Sequence, residues 1–177
     1  MNIYSEADFQ NKLDKKIIER VKKVKLIIAD VDGVLTDGSI YKGGNDSSEN
    51  FELKKFSVLD GAGVALARLL GFHIAIISGR ESYATKIRAN ELKLKYSLLD
   101  ENCAFIGDDI IDISLMETVG VPIAVANAYH LVKKKAIYTT LLSGGHGAFR
   151  EAVDWLAICQ GRYEDGIQLM MDSLLSK

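Results

Sequence analysis

A chain of 177 residues with 48% apolar content is long enough to bury a core of its own and reads as one globular domain. Its net charge of −2, with no basic cluster beyond ordinary helix faces, argues against nucleic-acid binding. No apolar stretch approaches the ~20 residues that span a bilayer, and residues 1–20 are polar with no signal-peptide core, so a cytoplasmic protein without a membrane partner is expected.

In chain order, residues 6–23 show helical spacing of Phe9, Leu13, Ile17 and Val21 with charge between them, which predicts an amphipathic lead-in helix within 1–23. The apolar run 24–29 then has strand length. It stops at Asp30 and Asp32, and Gly33 marks the turn off the sheet. Residues 39–41 and 52–58 are short β-like runs around the turn formers Gly43, Gly44, Asn45 and Asp46, a hairpin projecting over the strand tip. A helix over 61–70 ends at Gly71, a strand covers 73–77 with His73 in the core, and a charged helix runs from 81 to about 92. Strand 103–106 ends in a second acidic tip, Asp108, Asp109 and Asp112. A helix over 110–119 follows, then strand 121–125 with Pro122 near its start, strand 136–140, a glycine loop at 143–147 and a helix over 148–158. A final helix is predicted within the tail 161–177. Cys103 and Cys159 lack metal-ligand spacing and sit among apolar residues, so buried free thiols are expected.

Strands alternating with helices predict an α/β fold: a parallel sheet flanked by helices on both faces. No GxGxxG follows the first strand, so a dinucleotide site is not indicated. Open α/β sheets place ligands beyond the carboxyl ends of their strands, which is where both acidic tips fall. Asp30 and Asp32, one residue apart, face the same side if the strand continues through them. Like charges that close call for a shared proton or a cation, and an oxygen-only site suits Mg²⁺. The bland alternative makes Asp30 a helix cap and Asp32-Gly33 an ordinary turn. With the second acidic tip present, one chemistry uses all the parts. Asp30 attacks phosphorus, Asp32 protonates the leaving alcohol and then activates water, Ser78 offers a hydroxyl to the phosphoryl oxygens, and Asp108 completes the metal site.

The same residues carry a family resemblance. DVDGVLTDG at 30–38, ISGR at 77–80 and GDDIID at 107–112 resemble the first, second and fourth motifs of haloacid dehalogenase superfamily phosphatases. KKFSVLDGAG at 54–63 and GGHGAFRE at 144–151 resemble the cap-less group typified by 3-deoxy-D-manno-octulosonate 8-phosphate phosphatase. The resemblance runs from about 24 to 160 and implies a Rossmann-like fold without a cap domain, with that stretch as the catalytic core. It also implies an aspartyl phosphate on Asp30, general acid and base chemistry by Asp32, and Mg²⁺ held by Asp30, the Asp32 carbonyl and Asp108, with Asp109 and Asp112 supporting behind them. Ser78 and Gly79 match phosphate-binding positions, and Asp60, Gly61 and Arg80 match positions lining the substrate cleft. Each of the last three, with Arg88 and Arg150, has a structural alternative: Asp60-Gly61 as a helix-entry turn, Arg80 and Arg88 solvated on one helix, and Arg150 paired on a surface helix. Among the histidines, His146 in the glycine loop is the one to test. The implied substrate is a phosphorylated eight- or nine-carbon 2-keto sugar acid, and the implied assembly a homotetramer in which hairpins and tails close neighbouring sites. The hairpin's Tyr41, Phe51, Leu53 and Phe56 exceed what one face can bury. A second class of function, a silent regulatory or assembly domain fused to a sugar-activating enzyme, keeps the fold without turnover.

The family pattern fails between Leu92 and Asn102, where a lysine of the third motif should open a helix. Residues 92–96 begin like a strand, yet only 97–102 separate them from the next one, too short for a parallel crossover. Either 93–96 is no strand and Lys93 or Lys95 serves from an unusual position, or a crossover of roughly 20 residues is absent. The second reading is favoured and predicts a break in the ~3.8 Å Cα spacing between Lys93 and Leu99.

Overall fold

The strand that ends in Asp30 is buried along its whole length, because its sequence, LIIAD, offers no polar side chain before the final carboxylate. Parallel strands covered on both faces lose the alternation of polar and apolar residues, and this one has lost it completely. The computed structural model describes residues 14–44, 51–92 and 102–176. In chain order these form α1 (Lys15–Lys22), β1 (Leu26–Asp30), a wide turn (Val31–Leu35), β2 (Tyr41–Gly43), β3 (Phe51–Leu53), α2 (Val58–Leu69), β4 (His73–Ile77) and α3 (Tyr83–Glu91). There follow β5 (Cys103–Gly107), a 3₁₀ turn (Ile110–Asp112), α4 (Ile113–Met116), β6 (Val121–Ala124), α5 (His130–Lys135), β7 (Tyr138–Thr139), α6 (Ala148–Cys159) and α7 (Tyr163–Leu175).

Five strands make one parallel sheet in the order β4-β1-β5-β6-β7, and β2 pairs antiparallel with β3 in a separate hairpin. Register fixes the functional edge. Asp30 lies opposite Ile77 and Ala29 opposite Ile106, so the residues just past β1, β4 and β5 emerge together at the carboxyl edge. Helix α2 packs on α6 and α7, and α4 packs on β5, β6 and α5. The fold is the α/β architecture expected, with helices on both faces.

Several boundaries moved for local reasons. Helix α2 begins at Val58 because the Ser57 hydroxyl caps it, accepting from the Leu59 amide at 3.1 Å, which places Asp60 inside the first turn. The helix expected over 110–119 is a 3₁₀ turn and one short helix, since Asp109 and Asp112 form a capping box that tightens the chain there. Helix α5 was not expected: it is six residues long, and only Val132 of it is buried, too little for a periodic signal. His73 is exposed rather than core, at the start of edge strand β4. Phe56 forms an isolated bridge with Thr36 and packs against the core, so it leaves the exposed apolar set of the hairpin. Neither Cys103 nor Cys159 forms a disulfide, and both are buried. Among the described residues no helix is long and apolar enough to cross a membrane.

Leu92 caps the end of α3 and does not open a strand. Helix α3 lies between β4 and β5 in the chain, and those two parallel strands flank β1 in the sheet. The break expected between Lys93 and Leu99, and Lys93 and Lys95 themselves, lie outside the described residues.

Candidate active site

Asp30 closes β1 with 6% of its surface exposed. Burial above all, then the charges of Asp112 and Asp108, pushes its carboxyl up to about 7. The wide turn after it is set by Thr36, whose buried hydroxyl donates to the Val31 carbonyl and accepts from the amides of Gly33 and Gly38, each at 3.2 Å. Gly33 has φ +110°, and a Cβ there would collide with the Asp108 carboxylate. Only glycine lets the two acidic tips come so close.

Asp32 sits in this turn with its side chain 20% exposed. Its Oδ1 receives the Lys54 ammonium at 2.6 Å, and its Oδ2 lies 3.5 Å from the Ser78 hydroxyl just past β4. Ser78 is further tied to Arg80, accepting from its amide at 3.2 Å and donating to its carbonyl at 3.0 Å. Gly79 between them is exposed. Asp108, just past β5, has a buried Oδ1 without a hydrogen-bond partner, and burial, then Asp112 and Asp109, pushes its carboxyl up to about 7. Behind it Asp112 accepts the amides of Asp108 and Asp109 at 2.8 and 3.1 Å, while Asp109 caps the turn by accepting from the Ile110 amide. Asp112 thus aims the main chain that carries Asp108.

Two mutually repelling, desolvated carboxylates, one with an orphaned oxygen, are the electrostatic signature of a cation site. Asp30, Asp108 and the Asp32 main-chain carbonyl would hold a hard divalent ion through oxygen alone. A set with two carboxylates and a carbonyl needs no triad of acidic, His or Cys side chains, and none occurs among the described residues.

The remaining predicted residues group differently. Arg80 is exposed, precedes α3 rather than lying on it, and pairs with Glu52 of the hairpin at 3.1 Å. Asp60 is buried at 3% exposure, and its Oδ1 accepts the Arg150 amide at 3.2 Å while Oδ2 has no partner. Burial pushes its carboxyl up to about 6. Gly61 lies under the Arg88 guanidinium, which sits 5.7 Å over the Phe56 ring and pairs with Glu91 at 3.1 Å. The Arg150 side chain turns along its own helix to Asp154 at 2.8 Å. The glycine loop packs on the Asp32 turn: Gly145 donates to the Val34 carbonyl at 2.9 Å, and Asn127 bridges Gly144 and the Gly33 carbonyl. His146 is exposed beside it. Glu151 holds the approach to that loop, accepting from the Tyr138 hydroxyl and the Leu141 and Leu142 amides, each at 2.8 Å.

Lys54, Glu52, Thr36, Asn127 and Glu151 were not singled out as site residues from sequence. A signal was present only for the first two: in the run FELK at 51–54, charge and apolarity alternate strictly, and the charged set faces inward.

A family model for haloacid dehalogenase-like hydrolases matches residues 81–149, which together with the strand-tip aspartates sets the class. The 3-deoxy-D-manno-octulosonate 8-phosphate phosphatase of Escherichia coli (strain K12) is 37% identical over 168 residues, covering 84% of this chain and 87% of the relative. That alignment spans 168 positions but takes in 84% of this chain's 177 residues, so at part of it the relative has residues and this chain has none. The corresponding phosphatase structure from Yersinia pestis superposes with a TM-score of 0.78 at 35% identity, covering 86% of this chain and 90% of its own. One from Moraxella catarrhalis, in complex with magnesium ion, phosphate ion and a KDO molecule, gives 0.79 at 30% identity, covering 89% and 99%. The chain belongs to the 3-deoxy-D-manno-octulosonate 8-phosphate phosphatase family of haloacid dehalogenase-like phosphoric monoester hydrolases.

A raised carboxyl destabilises the fold as pH climbs from its unfolded value, 3.8, through its folded one, because the native state must give up a proton it holds well. Asp30→Asn removes that burden. In chelator, the variant should be more stable than wild type by on the order of 2 kcal/mol at pH 8, with a smaller advantage at pH 5. Urea unfolding at the two pH values measures it. An advantage that shrinks between pH 5 and pH 8 would contradict the electrostatics described.

Proposed function

We propose that this chain is a Mg²⁺-dependent phosphomonoesterase that hydrolyses the phosphate of an eight- or nine-carbon 2-keto sugar acid through an aspartyl phosphate on Asp30. The observation that carries the reading is the convergence of Asp30, Asp32, Ser78 and Asp108 at one sheet edge, with Asp30 desolvated. Asp30 forms a bond to phosphorus as the bond to the leaving oxygen breaks, and Asp32 gives that oxygen a proton. Water then attacks phosphorus, Asp32 takes its proton, and the Asp30–phosphorus bond breaks to release phosphate. The Ser78 hydroxyl and the Gly79 main chain would receive the phosphoryl oxygens. Mg²⁺ on Asp30, Asp108 and the Asp32 carbonyl would supply neutralisation of the charge that otherwise keeps nucleophile and phosphate apart.

The sugar-acid class rests on the relatives, one of which carries magnesium, phosphate and KDO together. Arg80, exposed and paired with Glu52, is suited to the sugar carboxylate, and Arg88, Arg150, Asp60 and Gly61 complete the proposed substrate-binding set. Octulosonate 8-phosphate and a nonulosonate 9-phosphate both satisfy these features. Hydrolysis of a generic phosphate ester tests the reading: wild type should turn over with Mg²⁺ and stop in chelator, and Asp30→Asn should lose at least about 10³-fold in kcat. Wild type and variant equally inert with every sugar phosphate would instead fit the silent regulatory domain.

We also propose that the hairpin meets other copies in a homotetramer. Tyr41, Phe51 and Leu53 are 56%, 57% and 58% exposed on one short ribbon, an apolar surface that a second copy would cover. Light scattering at micromolar concentration should give a tetramer, and a monomer with full activity would refute it.

A further inference from the structure

The hairpin is built against the usual rule. Along 51–54 the apolar Phe51 and Leu53 point to solvent, 57% and 58% exposed, while the side chains of Glu52 and Lys54 are 22% and 0% exposed. Burying an ammonium costs several kcal/mol, and a buried ion pair is commonly no better for stability than an apolar pair of the same volume. Such a local violation is expected where function is held. The Lys54 Nζ donates to Asp32 Oδ1 at 2.6 Å and to Thr85 Oγ1 at 3.2 Å, with Glu52 Oε1 at 3.9 Å. It therefore joins three elements: the hairpin, helix α3 and the turn after β1.

What this does to Asp32 is specific. One carboxylate oxygen is occupied by the ammonium, and the other, Oδ2, is the one that faces Ser78 just past β4, where the phosphoryl group is placed in the reading above. A carboxyl group that carries its proton on Oδ2 keeps Oδ1 as a carbonyl acceptor, so the contact with Lys54 persists in both protonation states.

Resting on the phosphatase reading, we propose that Lys54 is the positioning residue for acid–base catalysis: it clamps Asp32 through Oδ1 so that Oδ2 alone exchanges the proton with the leaving oxygen and then with water. Thr85 anchors the clamp from α3. Lys54 acts through Asp32 and does not itself bind the phosphoryl group, so in the first step its removal should matter in proportion to how much the leaving group needs a proton, while the attack of water slows equally whichever ester was bound.

The test compares two esters at saturating Mg²⁺, an aryl phosphate whose phenolate leaves without a proton and a simple alkyl phosphate whose alkoxide does not. In kcat/KM, which covers only the steps up to departure of the leaving group and not the later attack of water that both esters share, Lys54→Met should lower the alkyl ester by about 10²-fold and leave the aryl ester within about threefold. Thr85→Val, nearly isosteric, should shift the aryl-to-alkyl ratio the same way by less, and it carries the test if Lys54→Met does not fold. Equal losses of kcat/KM for both esters, whether from a phosphate-binding or a purely structural lysine, would overturn the proposal, as would an unchanged ratio in Thr85→Val beside an unfolded Lys54→Met. A wild type inert to both esters would contradict the phosphatase reading itself, and this proposal with it.

Discussion

Three carboxylates out of water at one edge of a sheet are the constraint around which this molecule is arranged. Asp30 and Asp108 are each driven up to about 7, first by burial and then by neighbouring acids, of which Asp112 is the foremost for both. Left to themselves such groups would swing apart or take up protons. The fold prevents the first. Gly33 removes the Cβ that would hold the tips apart, Thr36 pins the turn, and Asp112 fixes the main chain of Asp108 through two amides. The stored repulsion makes a place where a divalent ion and a phosphate ester together are better tolerated than either acid alone.

The positions of these acids were readable because parallel strands carry a strong signal and end where it ends. An uninterrupted apolar run that stops in Asp30, and another that stops in Gly107 before Asp108, leave little choice of edge. Contacts across the fold were not readable in that way. Asn127 reaches Gly33, and Glu151 gathers Tyr138 with two amides, through a loop geometry no local pattern encodes. Lys54 is the intermediate case. Its alternation with Leu53 was visible, but which face is inward depends on the hairpin folding down over Asp32. Lys93 and Lys95 stood as the candidates for a third-motif lysine, while Lys54 lies in one of the group-specific motifs, KKFSVLDGAG at 54–63.

Arg80, Asp60, Arg88 and Arg150 show a further limit of spacing. Arg80 and Arg88 looked like two positions of one helix, yet α3 starts after Arg80 and separates their surroundings: one at an exposed rim with Glu52, the other over Phe56 and against Gly61. Asp60 links α2 to the first turn of α6. Its Oδ2 is buried there without a hydrogen-bond partner among the described residues.

Turnover as proposed requires Asp30 to become covalently bonded to phosphorus. An acyl phosphate is reduced by borohydride to the alcohol, which would convert this aspartate to homoserine. Wild-type protein quenched during turnover of a phosphate ester with Mg²⁺ and reduced at once should show homoserine at position 30 in its peptide masses, and none without substrate. Turnover with position 30 unreduced, or homoserine formed at Asp32 or Asp108 instead, would contradict the assignment of Asp30 as nucleophile.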